Sequence, residues 1–166
     1  MLLPAILAII SVILLVFLES FLLALLNFRL TMILFLFLFR KIDWKLLFFP
    51  LFVLSLMFDV VKNFPLGTNF LVLSVVFGLL LIFSLFLSVE SGFTTFLVRS
   101  FLFTLHYILL LTVPSFLIEG TFGILCLRDV LISLSKGVLS ALLLLLLDQT
   151  YASFRKRGGG TQILLK

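Results

Sequence analysis

The chain has 166 residues, 64% of them hydrophobic and 11% charged, with a formal net charge of +5 and a mean hydropathy of +1.45. A soluble domain is about half apolar and about a quarter charged, and a small one has too little interior for this much Leu and Phe. The composition therefore argues against a soluble domain, and the scattered basic residues, which form no stripe, argue against nucleic acid as a partner.

The apolar runs are continuous, whereas the strands of a membrane β-barrel would alternate apolar and polar residues. A helix needs about 20 residues to cross a bilayer, which leaves room for about six spans and no separate soluble domain. The expectation is an all-α polytopic membrane helix bundle of about six transmembrane helices over 1–154. A basic, flexible cytoplasmic tail should follow over 155–166.

In chain order, residues 2–18 form a charge-free first span. It lacks the basic n-region and small-residue cleavage site of a signal peptide, so it reads as retained. Glu19 and Ser20 then mark a turn or an interface. A second span over 21–39 is interrupted by Asn27 and Arg29. Residues 40–45 form a dense polar loop containing Arg40, Lys41, Asp43 and Lys45, with Trp44 where interfacial aromatics sit. The third span, 46–61, carries Asp59 near its end, and the turn at 62–69 is punctuated by Pro65 and Gly67.

An uncharged fourth span covers 70–89, and Glu90-Ser91-Gly92 breaks it. The fifth, 93–118, contains Arg99 and His106, with Pro114 near its end. Residues 119–129 connect to a sixth span over 130–148, which contains Lys136. With the N-terminus inside, eight Lys and Arg fall on the inner side and four on the outer, which predicts both termini in the cytoplasm.

Little chemistry is on offer. One His, one Cys and seven acids form no HExxH, P-loop, GxSxG or CxxC pattern, so no catalytic, cofactor or metal site is expected. Cys126 reads as a small buried hydrophobe. His106 reads as a hydrogen-bonded packing residue, with a proton relay as the alternative. Ser and Thr should bond to backbone or to neighbouring helices.

The informative residues are the intramembrane charges Asp59, Arg99 and Lys136. Each costs on the order of 3 kcal/mol or more at the bilayer centre, so each should face another helix or reach an interface. They read either as a binding or docking surface or as ion pairs that fix helix packing. By position along their spans, Asp59 can meet Lys136 near the outer side and Arg99 can meet Asp148 near the inner side. Those pairs would clamp the sixth helix at both ends.

The stretch Asp59-Val60-Val61-Lys62-Asn63-Phe64-Pro65-Leu66-Gly67-Thr68-Asn69-Phe70-Leu71 resembles the central signature of the rod shape-determining protein MreD family. That pattern has an Asp ending a span, a short loop, Leu-Gly, then an apolar helix with Leu soon after. Here these are Asp59, Leu66-Gly67 and Leu71. Ser55 and Leu51 stand where the family places glycines. Independently of the family, Asp59 can accept backbone N–H groups of the turn, and Gly67 permits a tight bend into the next helix.

Size, span number, the basic loop after the second span and the basic tail are also similar to that family. The resemblance implies an S-component-like fold and a non-enzymatic scaffold of the cell-wall elongation (rod) complex in the bacterial inner membrane. Its implied partners are a bitopic MreC-like protein, MreB filaments, the elongation-complex synthase and membrane lipid. Outward Phe and Leu, interrupted by small residues, would dock partner helices. The alternative is the substrate-binding S component of an energy-coupling-factor vitamin transporter, whose pocket would draw on Glu119, Arg128 and Asp129. An intramembrane acyl- or phosphotransferase would need a clustered catalytic set that the sequence lacks.

Overall fold

The computed structural model describes residues 10, 13–21, 29–39, 44–86, 92–121 and 125–158, and these are helical apart from short connections, with no strand among them. A helical segment over 13–21 is α1. It is followed by α2 (Leu30–Phe39), α3 (Trp44–Lys62), α4 (Thr68–Phe86), α5 (Gly92–Glu119) and α6 (Leu127–Gly158). Two stretches, Gly92–Glu119 and Leu127–Phe154, are long and apolar enough to cross a membrane. At 1.5 Å per residue each of these 28-residue stretches measures about 42 Å, more than the roughly 30 Å of a hydrocarbon core.

Sequential neighbours pack together, α3 on α4, α4 on α5 and α5 on α6, and α2 closes the ring by touching both α6 and α3. Consecutive α2 residues Thr31, Met32 and Ile33 are buried, as are Phe35 and Leu36, and the remaining face, with Leu30, Leu34, Phe37 and Leu38, is partly buried. Around them lie Leu73 and Val76 of α4, Leu102 and Phe103 of α5, and Ala141 and Leu144 of α6. Edge-to-face rings bind α2 outward, with Phe35 and Phe39 on Phe77 and Phe37 on Tyr151. The exterior is apolar too: Phe17, Phe49, Phe93 and Leu139 all point out of the bundle.

α5 and α6 pack closely against each other. A Cβ on Gly137 would lie 2.8 Å from the Thr104 nitrogen and 3.0 Å from the Ser100 carbonyl oxygen, so only glycine lets the backbones approach. Ser133, Gly137 and Ala141 recur every fourth residue of α6, the small-residue spacing that packs helices where lipid removes the hydrophobic drive. These small residues are spent inside the bundle rather than on a docking face. The hydroxyls mostly behave as anticipated: Thr104 donates to the Ser100 carbonyl, Ser140 to Lys136 and Ser74 to Phe70.

Several boundaries differ from the sequence reading. Glu19 and Ser20 are not a turn but lie within a helix, and Glu19 is fully buried. Trp44 and Lys45 belong to α3, which runs on through Pro50. Asn27, Arg40 to Asp43, and residues 87–91 lie outside the described residues, as do the first half of the first span and positions 159–166. The sixth helix starts earlier and ends later than 130–148: Arg128 and Asp129 are in its first turn, and Arg155 to Arg157 continue it to Gly158.

Cys126 is exposed rather than buried. Its carbonyl accepts the Asp129 and Val130 N–H groups while its own N–H donates to the Asp129 carboxylate at 3.3 Å, so it caps the start of α6 instead of packing within a span.

Candidate functional site

The end of α3 is closed by a Schellman motif. The Phe64 N–H donates to the Asp59 carbonyl at 2.9 Å, and the Asn63 N–H donates to the Val60 carbonyl at 3.3 Å. Asn63 occupies the left-handed region with φ 53°, where its short polar side chain is tolerated. The same Asp59 then begins α4. Its Oδ2 accepts the Gly67 N–H at 2.7 Å, and its Oδ1 accepts the Asn69 N–H at 3.0 Å and the Asn69 side-chain amide at 2.7 Å. A carboxylate at a helix N-terminus satisfies orphan donors and complements the helix dipole.

Gly67 has φ +93°, so its lack of a side chain is what the bend requires. Ser55, one turn before Asp59, is buried and donates to the Phe52 carbonyl, so a small residue does occupy that position against the bundle.

Arg99 and Asp148 meet as their positions along α5 and α6 predict, with Nη2 to Oδ2 at 2.9 Å. The outer clamp does not form. Asp59 has committed both oxygens to Gly67 and Asn69, and α3 packs mainly on α4 and α2 whereas α6 packs mainly on α5 and α2. The Lys136 ammonium instead lies 5.9 Å from the centroid of the Tyr107 ring, within reach of a cation–π contact.

A second buried charge pair is absent from the sequence reading. Glu19 of α1 and Arg29, just ahead of α2, approach to 3.8 Å, with side chains 1% and 10% exposed. Glu19 Oε2 also accepts the Thr31 N–H at 2.8 Å, which caps α2 across twelve residues of chain. The Arg29 N–H donates to the Tyr107 hydroxyl at 3.1 Å, and that hydroxyl shares a 3.3 Å hydrogen bond with Ser140. The starts of α2, α5's middle and α6 are thereby joined through one phenol. His106 is buried beside Tyr107, as a packing residue, and its Nδ1 has no hydrogen-bond partner among the described residues.

Around this cluster opens a cavity of about 320 Å³, at which Arg29, Lys62, Lys136, Tyr107 and Asp129 converge. Arg128 and Glu119 are exposed and do not line it. Lys136 and Asp148 are twelve residues apart on α6, about 18 Å at 1.5 Å per residue, so the cavity and the Arg99–Asp148 pair sit at different levels of the bundle. A separate groove between α1 and α3, about 480 Å³ in volume, is lined by aliphatic side chains including Ile13, Val16, Val53 and Val60.

Comparison with known protein families, curated proteins and solved structures finds no match. The residues that sequence reasoning missed are Glu19, Arg29, Lys62, Tyr107 and Ser140. Only Glu19 carried a usable signal, as an acid at the end of a long apolar run with Arg29 ten residues on.

Proposed function

We propose that the chain is a non-enzymatic scaffold that crosses a bacterial inner membrane six times with both termini in the cytoplasm. In this reading it belongs to the cell-wall elongation machinery and docks a bitopic MreC-like protein, with MreB filaments and the elongation synthase as further partners. One observation carries the reading: Asp59 closes α3 and opens α4 through Gly67 and Asn69, a physical use for the Asp and Leu-Gly that the MreD signature pairs. Further support comes from the apolar exterior and from the two long apolar helices. The aliphatic groove between α1 and α3 offers a surface for the single membrane helix of such a partner.

The test is affinity purification of the tagged chain from membranes that also hold an MreC-like protein. Stable co-purification, reduced at least tenfold by Val53→Arg in the groove, is the expected result. The cavity at Lys136 favours a second reading, the S component of a vitamin transporter, because such a subunit needs a polar pocket. Saturable binding of a vitamin to the purified chain, with no partner retained, would replace the scaffold with the transporter subunit.

A further inference from the structure

The cavity beside Tyr107 brings three cations together, Arg29, Lys62 and Lys136, and of the acids around it Asp129 lines the wall while Glu19 and Asp59 lie behind Arg29. Arg29 has Glu19, at a loose 3.8 Å. Lys62 and Lys136 form no ion pair among the described residues, and Lys136 has only the face of the Tyr107 ring. Asp129 also lines the cavity, makes no ion pair among the described residues, and accepts the Cys126 N–H through Oδ2 at 3.3 Å. Three like charges around one cavity repel one another, and in surroundings of low dielectric that repulsion is poorly screened. An anion seated among them removes the conflict, and phosphate oxygens suit both the Arg fork and the Lys ammonium groups.

The walls say what kind of phosphate. The cavity is also lined by Leu111 and by Ile132, one turn from Lys136 on α6, which are 51% and 38% exposed and so extend the lining onto the apolar exterior. A polar end with an apolar lip fits a molecule of two natures. At about 320 Å³ the space holds a headgroup and not a whole lipid.

We infer that this cavity binds a phosphate-bearing anion, and that its occupant is the headgroup of an anionic phospholipid whose acyl chains lie along Leu111 and Ile132. This goes beyond the scaffold role and rests only on the membrane setting of the proposed function. Lys62 and Lys136 hold the phosphate, Arg29 is fixed from behind by Glu19, and Tyr107 shapes the floor.

The test uses the full-length chain in detergent, with native mass spectrometry counting retained lipid. Phosphatidylglycerol should be retained at least tenfold more than phosphatidylcholine. Lys62→Gln with Lys136→Gln should abolish the difference, Lys136→Arg should keep it, and Arg128→Gln, outside the cavity, should change nothing. Titration with inorganic phosphate separates the sources. Phosphate binding that is lost in the Gln variants, without any lipid preference, would keep the anion site but overturn the lipid as its occupant. Equal retention of both lipids by the unaltered chain, with no phosphate binding, would overturn the inference without recourse to any variant.

Discussion

Arg99 of α5 and Asp148 of α6 meet at 2.9 Å, an ion pair between the two longest described helices. Both side chains are largely withdrawn from the surface, at 12% and 27% exposure, so the pair should outweigh an ordinary surface contact. A double-mutant cycle of Arg99→Gln and Asp148→Asn, read as stability in detergent, should return a coupling energy of about 1 kcal/mol. The corresponding cycle for Asp59 and Lys136 should be additive, since those residues do not meet. Coupling in the second cycle and none in the first would invert the packing described above.

Asp59 holds three N–H groups and should be the most sensitive polar position in the α3–α4 turn. Replacing it with Ala strands buried donors and should cost about 3 kcal/mol, whereas Asn, which keeps one acceptor oxygen, should cost less. Gly67→Ala meets no neighbouring atom, so its loss, about 1–2 kcal/mol, comes from the left-handed backbone alone. Urea or thermal unfolding of the three variants gives the order Ala at 59, then Asn at 59 and Ala at 67. An Asp59→Ala protein as stable as the parent would remove the tertiary cap from the account.

The sequence reading succeeded where chemistry is local. Pro65, Gly67 and Asp59 lie within nine residues, and short-range rules about capping and turns are enough to predict what they do together. Arg99 and Asp148 were legible because position along a span fixes the depth of a charge, and opposite charges at one depth attract. The same depth argument failed for Asp59 and Lys136, since depth says nothing about which helices are neighbours, and Asn69 offered Asp59 a nearer partner. Glu19 was misread because an acid after an apolar run looks like a span end. Its burial depends on Arg29 and Thr31 returning from the next helix. Cys126 was misread because its apolar flanks hide a capping position.

Glycines of α4 and α6 should respond in opposite ways. Gly137→Ala drives a Cβ into Thr104 and the Ser100 carbonyl and should cost about 1–3 kcal/mol by overpacking. Gly78→Ala, with open space around it in mid-helix, should raise stability by about 0.5–1 kcal/mol through lower chain entropy. Thermal midpoints of the two variants, falling for the first and rising for the second, check the α5–α6 crossing. Equal effects would contradict it.

Removing one partner of the Glu19–Arg29 pair leaves the other charge buried. Arg29→Gln or Glu19→Gln alone should therefore cost about 3 kcal/mol or more, while the double variant should recover part of the loss. Denaturant midpoints of the single and double variants supply the comparison, and a double variant at the sum of the two single losses would mean that the pair is not coupled.

The proposed six-span arrangement with both termini in the cytoplasm makes its sharpest demand on α6, which must place Cys126, just ahead of it, at the outer face and Ser153 at the inner one. Cys126, at the cap of α6, is the one cysteine of the sequence and is exposed, and Ser153 is exposed on α6, about 40 Å away at 1.5 Å per residue. The direct measurement is labelling of intact cells with a membrane-impermeant maleimide. The account predicts that Cys126 is modified from outside. In a Cys126→Ser background, Ser153→Cys should be modified only after the cells are permeabilised. Modification of both positions from the same side, or of Ser153→Cys alone from outside, would contradict it.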